Sequence, residues 1–151
     1  MKTGDICSRN VVTVRESDDL TAAAQLMRQK HIGYLVVVKP SVADGTFAPV
    51  GVITDRDIVV GVVARETDPR SLRVGDVMTR QPVLAGEDSS VSAALHSMRE
   101  IGVRRLPVVA RGGQLAGILS LDDVLDALAK ELTAVADSIR RELKVEGALR
   151  P

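Results

Sequence analysis

The hydrophobic residues of this chain follow the same pattern twice. In each half, four apolar residues fall at positions i, i+3, i+4 and i+7, which is the spacing of one buried face of an α-helix. The first set is Leu20, Ala23, Ala24 and Met27, and the second set is Val91, Ala94, Leu95 and Met98. Both halves are therefore predicted to contain an amphipathic helix that packs one face into a core.

Short runs of apolar and β-branched residues lie before and after these helices and predict strands. In chain order, the runs are Val11–Val14, Leu35–Val38 and Val50–Ile53, and then Pro82–Leu84, Leu106–Val109 and Leu115–Leu119. A second helix is predicted directly after the last strand of each half, near Asp55 and near Leu121. Each half thus has the order β-α-β-β-α, and the fold class is α/β, or α+β in some classifications.

The two halves form an internal repeat, because Gly4–Ile6 returns in register as Gly75–Val77. A repeat of this length holds several secondary-structure elements, so it predicts two small α/β units rather than a solenoid. Two pseudo-symmetric units packed together form clefts, and clefts are where ligands bind. The predicted boundaries are 1–66 for the first unit, 67–74 for a linker, 75–130 for the second unit and 131–151 for a C-terminal helical extension.

Composition and charge exclude several classes of function. The 151 residues include 20 basic and 20 acidic side chains, so the formal net charge is zero. There is no field of a single sign to attract nucleic acid or an anionic membrane, and neither is expected as a partner. The single cysteine, Cys7, allows no intrachain disulfide, and no apolar run approaches the length of a membrane span. A cytoplasmic protein is expected.

The last predicted helix continues its apolar face well beyond the end of the repeat. The residues of this face are Leu125, Leu128, Leu132, Val135, Ile139 and Leu143, and charges of both signs alternate around them. Packing on the second unit accounts for the first turns of the helix. Beyond about Glu131 the face has no counterpart in the first half, so a contact within a homodimer is predicted.

One motif with the potential for chemistry occurs in both halves: Gly-apolar-apolar-Thr/Ser-x-x-Asp, at Gly51–Asp57 and Gly117–Asp123. A strand ends and a helix begins here, so unpaired N–H groups and the hydroxyl of Thr54 or Ser120 are available to bind a phosphate. The aspartate lies in the first helical turn, where its carboxylate can accept hydrogen bonds from a ribose diol. The same spacing is also that of a capping box, in which the two side chains only satisfy backbone donors.

The whole arrangement resembles a tandem pair of CBS domains, often called a Bateman module. The resemblance covers about residues 4–64 and 75–130, and it depends on the repeated motif, Leu106–Val109 and Asp76–Thr79 occurring together and in order. It implies a regulatory module whose two clefts bind adenosine-containing ligands. These are AMP, ADP or ATP, with NAD or S-adenosylmethionine as alternatives.

The resemblance also implies roles for particular residues. Asp57 and Asp123 would hold the ribose hydroxyls, Thr54 and Ser120 would lie near the phosphates, and Val12 and Val83 would flank the base in one site each.

The two predicted sites differ in their polar residues. Arg56 stands at the start of the first motif helix, and Arg104 and Arg105 take the places of Gly33 and Tyr34. One arginine of the pair is a candidate for bidentate phosphate binding; alternatively, both are solvated cations at the strand edge. Tyr34, the only tyrosine, either stacks on a base or covers the core.

Two further departures from the family pattern lie in the first half. Val36 stands where the second half has Pro107, and a longer loop runs through Asp44–Gly45. These departures predict a different occupancy or a different ligand for the first site.

No catalytic or metal site is predicted. The chain has no Gly-x-Gly-x-x-Gly, no Walker loop and no local Ser/His/Asp set, and His31 and His96 are not spaced as metal ligands. The leading hypothesis is a non-catalytic nucleotide sensor that regulates an unidentified protein and requires no cofactor. One alternative is a ligand-free homodimeric scaffold, in which both motif aspartates only cap helices. A third is an enzyme acting on a nucleotide, for which a nucleophile is missing.

Overall fold

Two β-sheets, one in each half, organise the chain in the computed structural model, which describes residues 1–41 and 45–149. The predicted loop residue Asp44 lies outside the described residues. The helices are α1 (Thr3–Ile6), α2 (Leu20–Lys30), α3 (Asp55–Gly61), α4 (Val74–Val77), α5 (Val91–Ile101) and α6 (Leu121–Leu149). The strands are β1 (Thr13–Arg15), β2 (Tyr34–Pro40), β3 (Phe47–Thr54), β4 (Thr79–Arg80), β5 (Ala85–Gly86), β6 (Arg105–Val109) and β7 (Leu115–Ser120).

Both halves have the predicted order β-α-β-β-α. In the first half, β1 pairs parallel with β2 across the α2 crossover, and β2 pairs antiparallel with β3. In the second half, β5, β6 and β7 pair in the same way. The mixed α/β class, the two repeats and the extended last helix are confirmed.

The first strand of each half begins later than the sequence predicts. The Val11 N–H donates to the Arg9 carbonyl in a turn (3.1 Å), so the start of the predicted run does not join the ladder. In the second half, Pro82 has no N–H to contribute to pairing, and the strand is only Ala85–Gly86. The apolar residues that precede the two strands are therefore free to line clefts, and Val83 does so.

Each half has its own hydrophobic core, and the predicted helical faces are part of it. Leu20, Ala23 and Met27 are buried in the first core, and Val91, Ala94 and Met98 are buried in the second. The predicted strands contribute Leu35 and Ile53 on one side, and Leu106 and Leu119 on the other. Each such side chain contributes about 1.5–3 kcal/mol when it is fully removed from water.

The opening segments of the two repeats are exchanged between the halves. The exchange includes four backbone hydrogen bonds of 2.9 Å in two corresponding pairs: Thr3 to Ser89, Gly4 to Glu87, Val74 to Asp18 and Gly75 to Glu16, donor first. As a result, Val74 and Met78 complete the core of the first half, and Ile6 and Cys7 pack against the core of the second. The packing units thus differ from the sequence repeats in their opening segments.

The exchanged segments approach the central strands too closely for a side chain to intervene. A Cβ at Gly117 would lie 2.7 Å from the Cys7 Sγ and 2.8 Å from the Ser8 carbonyl oxygen, and one at Gly51 would lie 2.7 Å from the Met78 Sδ. This contact explains why glycine opens both copies of the motif. It also places the Cys7 thiol in a partly buried position, and burial raises its pKa.

The long helix α6 packs on the second half only through its first turns. Val124 is buried, whereas all six residues of the predicted apolar face are 47–71% exposed. The extension is helical as far as Leu149, and residues 150 and 151 lie outside the described residues. An apolar face five turns long is thus open along α6.

The first prediction concerns the close contact at Gly117. We expect Gly117→Ala to lower the free energy of unfolding by about 1–3 kcal/mol, because the new Cβ overpacks against backbone that cannot move aside. Gly61→Ala is the matched control, since a Cβ there meets only Val77 at an ordinary 3.7 Å. The control should be neutral or stabilising by up to about 1 kcal/mol. Urea unfolding of both variants makes the comparison, and equal stabilities would contradict the proposed contact.

Candidate functional site

The two halves enclose a cleft of about 640 Å³ beside the first copy of the motif, here called the central cleft. Seven of the ten predicted site residues line it: Tyr34, Thr54, Arg56, Asp57, Val83, Arg104 and Arg105. β2, β3 and α3 supply the first four of these residues, and the second half supplies the other three. The volume lies within the range of roughly 300–1,000 Å³ that is typical of small-molecule sites.

The first motif forms a capping box at the junction of β3 and α3. The Thr54 N–H donates to Asp57 Oδ2 (2.8 Å), and the Asp57 N–H donates to Thr54 Oγ1 (3.1 Å). Within the described residues, Asp57 Oδ1 accepts no hydrogen bond and the Thr54 hydroxyl donates none. The corner therefore combines a fixed local geometry with one acceptor and one donor that remain available to a ligand.

The second motif forms the same capping box but uses its hydroxyl differently. The Ser120 N–H donates to Asp123 Oδ2 (2.8 Å), and the Asp123 N–H donates to Ser120 Oγ (3.1 Å). In addition, the Ser120 hydroxyl itself donates to Asp123 Oδ2 at 2.6 Å. The only hydroxyl proton at this corner is thus used within the corner.

Three guanidinium groups line the central cleft. Arg104 Nη2 lies 3.9 Å from Asp122 Oδ1 in an exposed ion pair, which contributes about 0–1 kcal/mol. Arg56 and Arg105 have no ion-pair partner in the described part of the chain. Two unpaired guanidinium groups are suited to binding an anion such as phosphate through charge-assisted hydrogen bonds.

Apolar side chains of the second half form the opposite wall of the cleft. Val83, Ile101 and Val103 line it with 40%, 46% and 38% of their surface exposed, and Pro82 adjoins them. Ile101 and Val103 were not predicted from the sequence. Ile101 is the last residue of α5, and Val103 lies in the loop that follows, next to Arg104 and Arg105. Their position just before the middle strand was the available signal.

Tyr34 is part of the lining of the central cleft. Burial raises the pKa of its phenol, the charge of Arg105 opposes this shift, and the charge of Asp57 adds to it. The phenol therefore stays neutral at physiological pH. Both predicted roles for Tyr34 are compatible with this position, since the ring is half-buried and also lines the cleft.

A second, smaller cleft of about 230 Å³ lies on the other side of Tyr34 and is here called the narrow cleft. Val12 lines it, together with Tyr34 and Arg105. Ser120 and Asp123, the predicted site residues of the second motif, are not part of this lining. Asp123 instead borders a groove between α1 and α6, opposite Asp5 and Ile6.

Metal ligands and membrane spans are absent from the parts of the chain that the structure describes. No three His, Cys, Asp or Glu side chains among residues 1–41 and 45–149 are grouped so that they could hold a metal ion. No helix within the same ranges is both long enough and apolar enough to cross a membrane.

The chain belongs to the CBS-domain family. The model of the CBS domain matches residues 4–64 and 74–130, which are the two repeats. Hypoxic response protein 1 of Mycobacterium tuberculosis is 35% identical over 120 residues, which cover 80% of this chain and 80% of that protein. The resemblance identified from the repeated motifs is thereby confirmed.

Solved structures of CBS-domain proteins have the same fold. A crystal structure of CBSX2 in complex with AMP has a TM-score of 0.69 and 28% identity, and the match covers 85% of this chain and 96% of that one. A hexameric CBS-CP12 protein from bloom-forming cyanobacteria has a TM-score of 0.69 and 31% identity, over 83% of this chain and 69% of that one. Proteins similar to this chain thus include one that binds an adenine nucleotide and one that forms an oligomer.

The second prediction concerns the pKa of the Tyr34 phenol. It can be measured by absorbance because the chain contains one tyrosine and no tryptophan. In a spectrophotometric pH titration, the phenol of the native protein should ionise well above the usual value of about 10. In urea the midpoint should return to that value. Because the native pKa is raised, the unfolded chain loses this proton at a lower pH than the folded protein does. The free energy of unfolding should therefore be independent of Tyr34 below about pH 10 and fall as pH rises past about 10.

The control for this titration is Tyr34→Phe, which should abolish the phenolate absorbance change entirely. A native midpoint at about 10, in protein that circular dichroism shows to be folded, would contradict the burial of Tyr34.

Proposed function

We propose that this chain is a non-catalytic regulatory module that binds an adenosine-containing nucleotide in the central cleft. One observation carries the proposal: an apolar wall, a carboxylate and unpaired guanidinium groups face a single space of about 640 Å³ between the halves. A base, a ribose and a phosphate need these three kinds of surface. The absence of a catalytic set in the sequence favours binding over chemistry.

The apolar wall is the proposed contact for the base. Val83, Ile101 and Val103 keep roughly two fifths of their surface in water, and a planar base laid against them would remove part of that area. At about 25 cal/mol per Å², this burial contributes about 2–4 kcal/mol. Tyr34 provides an aromatic edge or face in the lining of the same space.

The polar corner is the proposed contact for the ribose and the phosphate. Asp57 Oδ1 accepts from the ribose hydroxyls while Oδ2 remains bonded to the Thr54 N–H. The Thr54 hydroxyl donates to phosphate, and Arg56 and Arg105 supply the charge. Because α3 has only seven residues, the guanidinium groups rather than the helix dipole provide most of the attraction for an anion.

The choice of ligand follows from the relatives and from the cleft. The AMP complex of CBSX2 supports AMP as the first ligand to test. ADP, ATP, NAD and S-adenosylmethionine share its adenosine part, so they can make the same contacts with the apolar wall and with Asp57. They differ in the charge that they present to Arg56 and Arg105.

The ligand would act by bridging the halves. The polar corner belongs to the first half and the apolar wall to the second, so a bound nucleotide joins them. A ligand shifts a conformational equilibrium only by the difference in its affinity for the two states. We propose that an unidentified protein responds to the arrangement that the nucleotide stabilises.

The third prediction tests nucleotide binding directly. AMP at about one hundred times its dissociation constant should stabilise the fold by about 2.7 kcal/mol, seen as a rise in the melting temperature and as a change in Tyr34 fluorescence. GMP, UMP and inorganic phosphate are the matched controls, because they carry the charge without the adenine. Melts that stay flat with all five adenosine compounds would support the ligand-free scaffold instead.

We also propose that the exposed face of α6 holds two copies of this chain together. The face contains six apolar side chains over five turns, and charges of both signs surround it, so like-charge repulsion does not oppose self-association. The same mixture of charges is unsuited to an anionic membrane surface, which selects a basic polar face. This contact serves either function, sensor or scaffold.

The fourth prediction concerns this contact. Leu132→Glu combined with Ile139→Glu should shift the chain from dimer to monomer in sedimentation velocity, because two charges would be buried at the interface. Thr133→Glu combined with Ser138→Glu is the matched control on the same helix, since both side chains bond only to backbone carbonyls one turn back. A dimer that survives the first pair of substitutions, or a wild-type monomer, would contradict the proposal.

A further inference from the structure

The pseudo-symmetry of the two halves allows the two clefts to be compared position by position. Each cleft has an apolar segment that precedes a first strand, Val83 in one and Val12 in the other. Tyr34 is the first residue of β2 and Arg105 is the first residue of β6, and both side chains line both clefts. The backbones around the two clefts correspond. The clefts differ in volume, in the hydrogen bonding of the motif corner and in the side chain that opens the middle strand.

The first difference is room. The central cleft holds about 640 Å³ and the narrow cleft about 230 Å³. Sites for small molecules start at roughly 300 Å³, so the narrow cleft is below the size that a nucleotide requires.

The second difference is the hydrogen bonding of the motif corner. The Thr54 hydroxyl donates to nothing within the described residues, whereas the Ser120 hydroxyl donates to Asp123 Oδ2 at 2.6 Å. Asp57 lines the central cleft, but Asp123 borders the groove beside Asp5. A ligand in the narrow cleft would therefore find neither a free hydroxyl nor the carboxylate.

The third difference is the side chain that opens the middle strand. Arg105 is exposed, whereas its counterpart Tyr34 is half-buried, with a pKa raised by that burial. The half-buried ring of Tyr34 fills space beside the narrow cleft that an exposed guanidinium would leave to solvent.

From these differences we infer that each chain binds one nucleotide, in the central cleft, and that Tyr34 keeps the narrow cleft closed to a second. The inference rests on the proposed nucleotide-binding function and deepens it. It assigns the ribose contact to Asp57 alone, and leaves Asp123 as a capping residue.

Isothermal titration calorimetry with AMP tests the inference on the full chain. Asp57→Asn and Asp123→Asn form a matched pair, because each asparagine keeps an oxygen that can accept from the Thr54 or Ser120 N–H. We expect one AMP per wild-type chain, about tenfold or greater loss of affinity in Asp57→Asn, and affinity within about twofold of wild type in Asp123→Asn. Melting temperatures of both variants that equal that of the wild type without ligand establish that both caps survive.

The outcomes separate the inference from the proposal beneath it. Two AMP per chain, or fewer than one, would overturn the inference while nucleotide binding stands. Weakening by Asp123→Asn, or normal affinity in Asp57→Asn, would do the same. No heat and no change in Tyr34 fluorescence with any of the adenosine compounds would overturn both.

Discussion

The exchange of opening segments between the halves is the contact on which the rest of the structure depends. Two backbone hydrogen bonds of 2.9 Å from the opening of each repeat connect it to the other half, and net contributions of about 1 kcal/mol each are typical of such bonds. Val74 and Thr3, which occupy corresponding positions, are both completely buried, and the Thr3 hydroxyl donates to the Gly86 carbonyl. The ion pairs Arg9–Glu87 and Arg80–Glu16 also connect the opening of each repeat to the other half. Both pairs are exposed to solvent, which limits their contribution to stability.

Because of this exchange, the central cleft is a space between two bodies that cannot separate while either remains folded. Removal of α4 from the first half would uncover its core at Val74 and Met78. The two walls of the cleft are therefore next to each other before any ligand arrives. Binding does not have to bring them together, which lowers its cost, and a ligand can change only their relative arrangement.

Capping and ligand binding are compatible at the first motif because a carboxylate has two oxygens. Asp57 Oδ2 is fixed by the Thr54 N–H, and that bond orients the side chain so that Oδ1 keeps a constant position. The same holds for Thr54, whose oxygen accepts from the Asp57 N–H while its proton remains free within the described residues. A capping box is thus a means of positioning a site, and its presence alone does not decide between a sensor and a scaffold.

The sequence predicted the features of the fold that depend on local periodicity. The buried faces of α2 and α5 could be predicted because apolar residues recur at every helical turn. The seven predicted residues of the central cleft followed from the repeated motif and the family resemblance. The exchange of segments was not readable, because it is made by backbone groups of distant residues. One trace of it was glycine at Gly51 and Gly117, where close approach forbids a side chain. The width of each cleft depends on how Tyr34 and Arg105 pack, which no pattern encodes.

The comparison of the halves shows which constraints acted on the repeat. The positions that meet backbone across the exchange, Gly51 and Gly117, are identical, because a Cβ at either would collide with the opposing segment. The positions that face the clefts are free of that constraint, and there Arg56 corresponds to Asp122. Arg56 stands between Asp55 and Asp57 and offsets one of their two negative charges, whereas Asp122 beside Asp123 adds a second negative charge that Arg104 partly neutralises. Backbone contacts thus fix one frame for both halves, and the side chains placed on it give the two corners different charges.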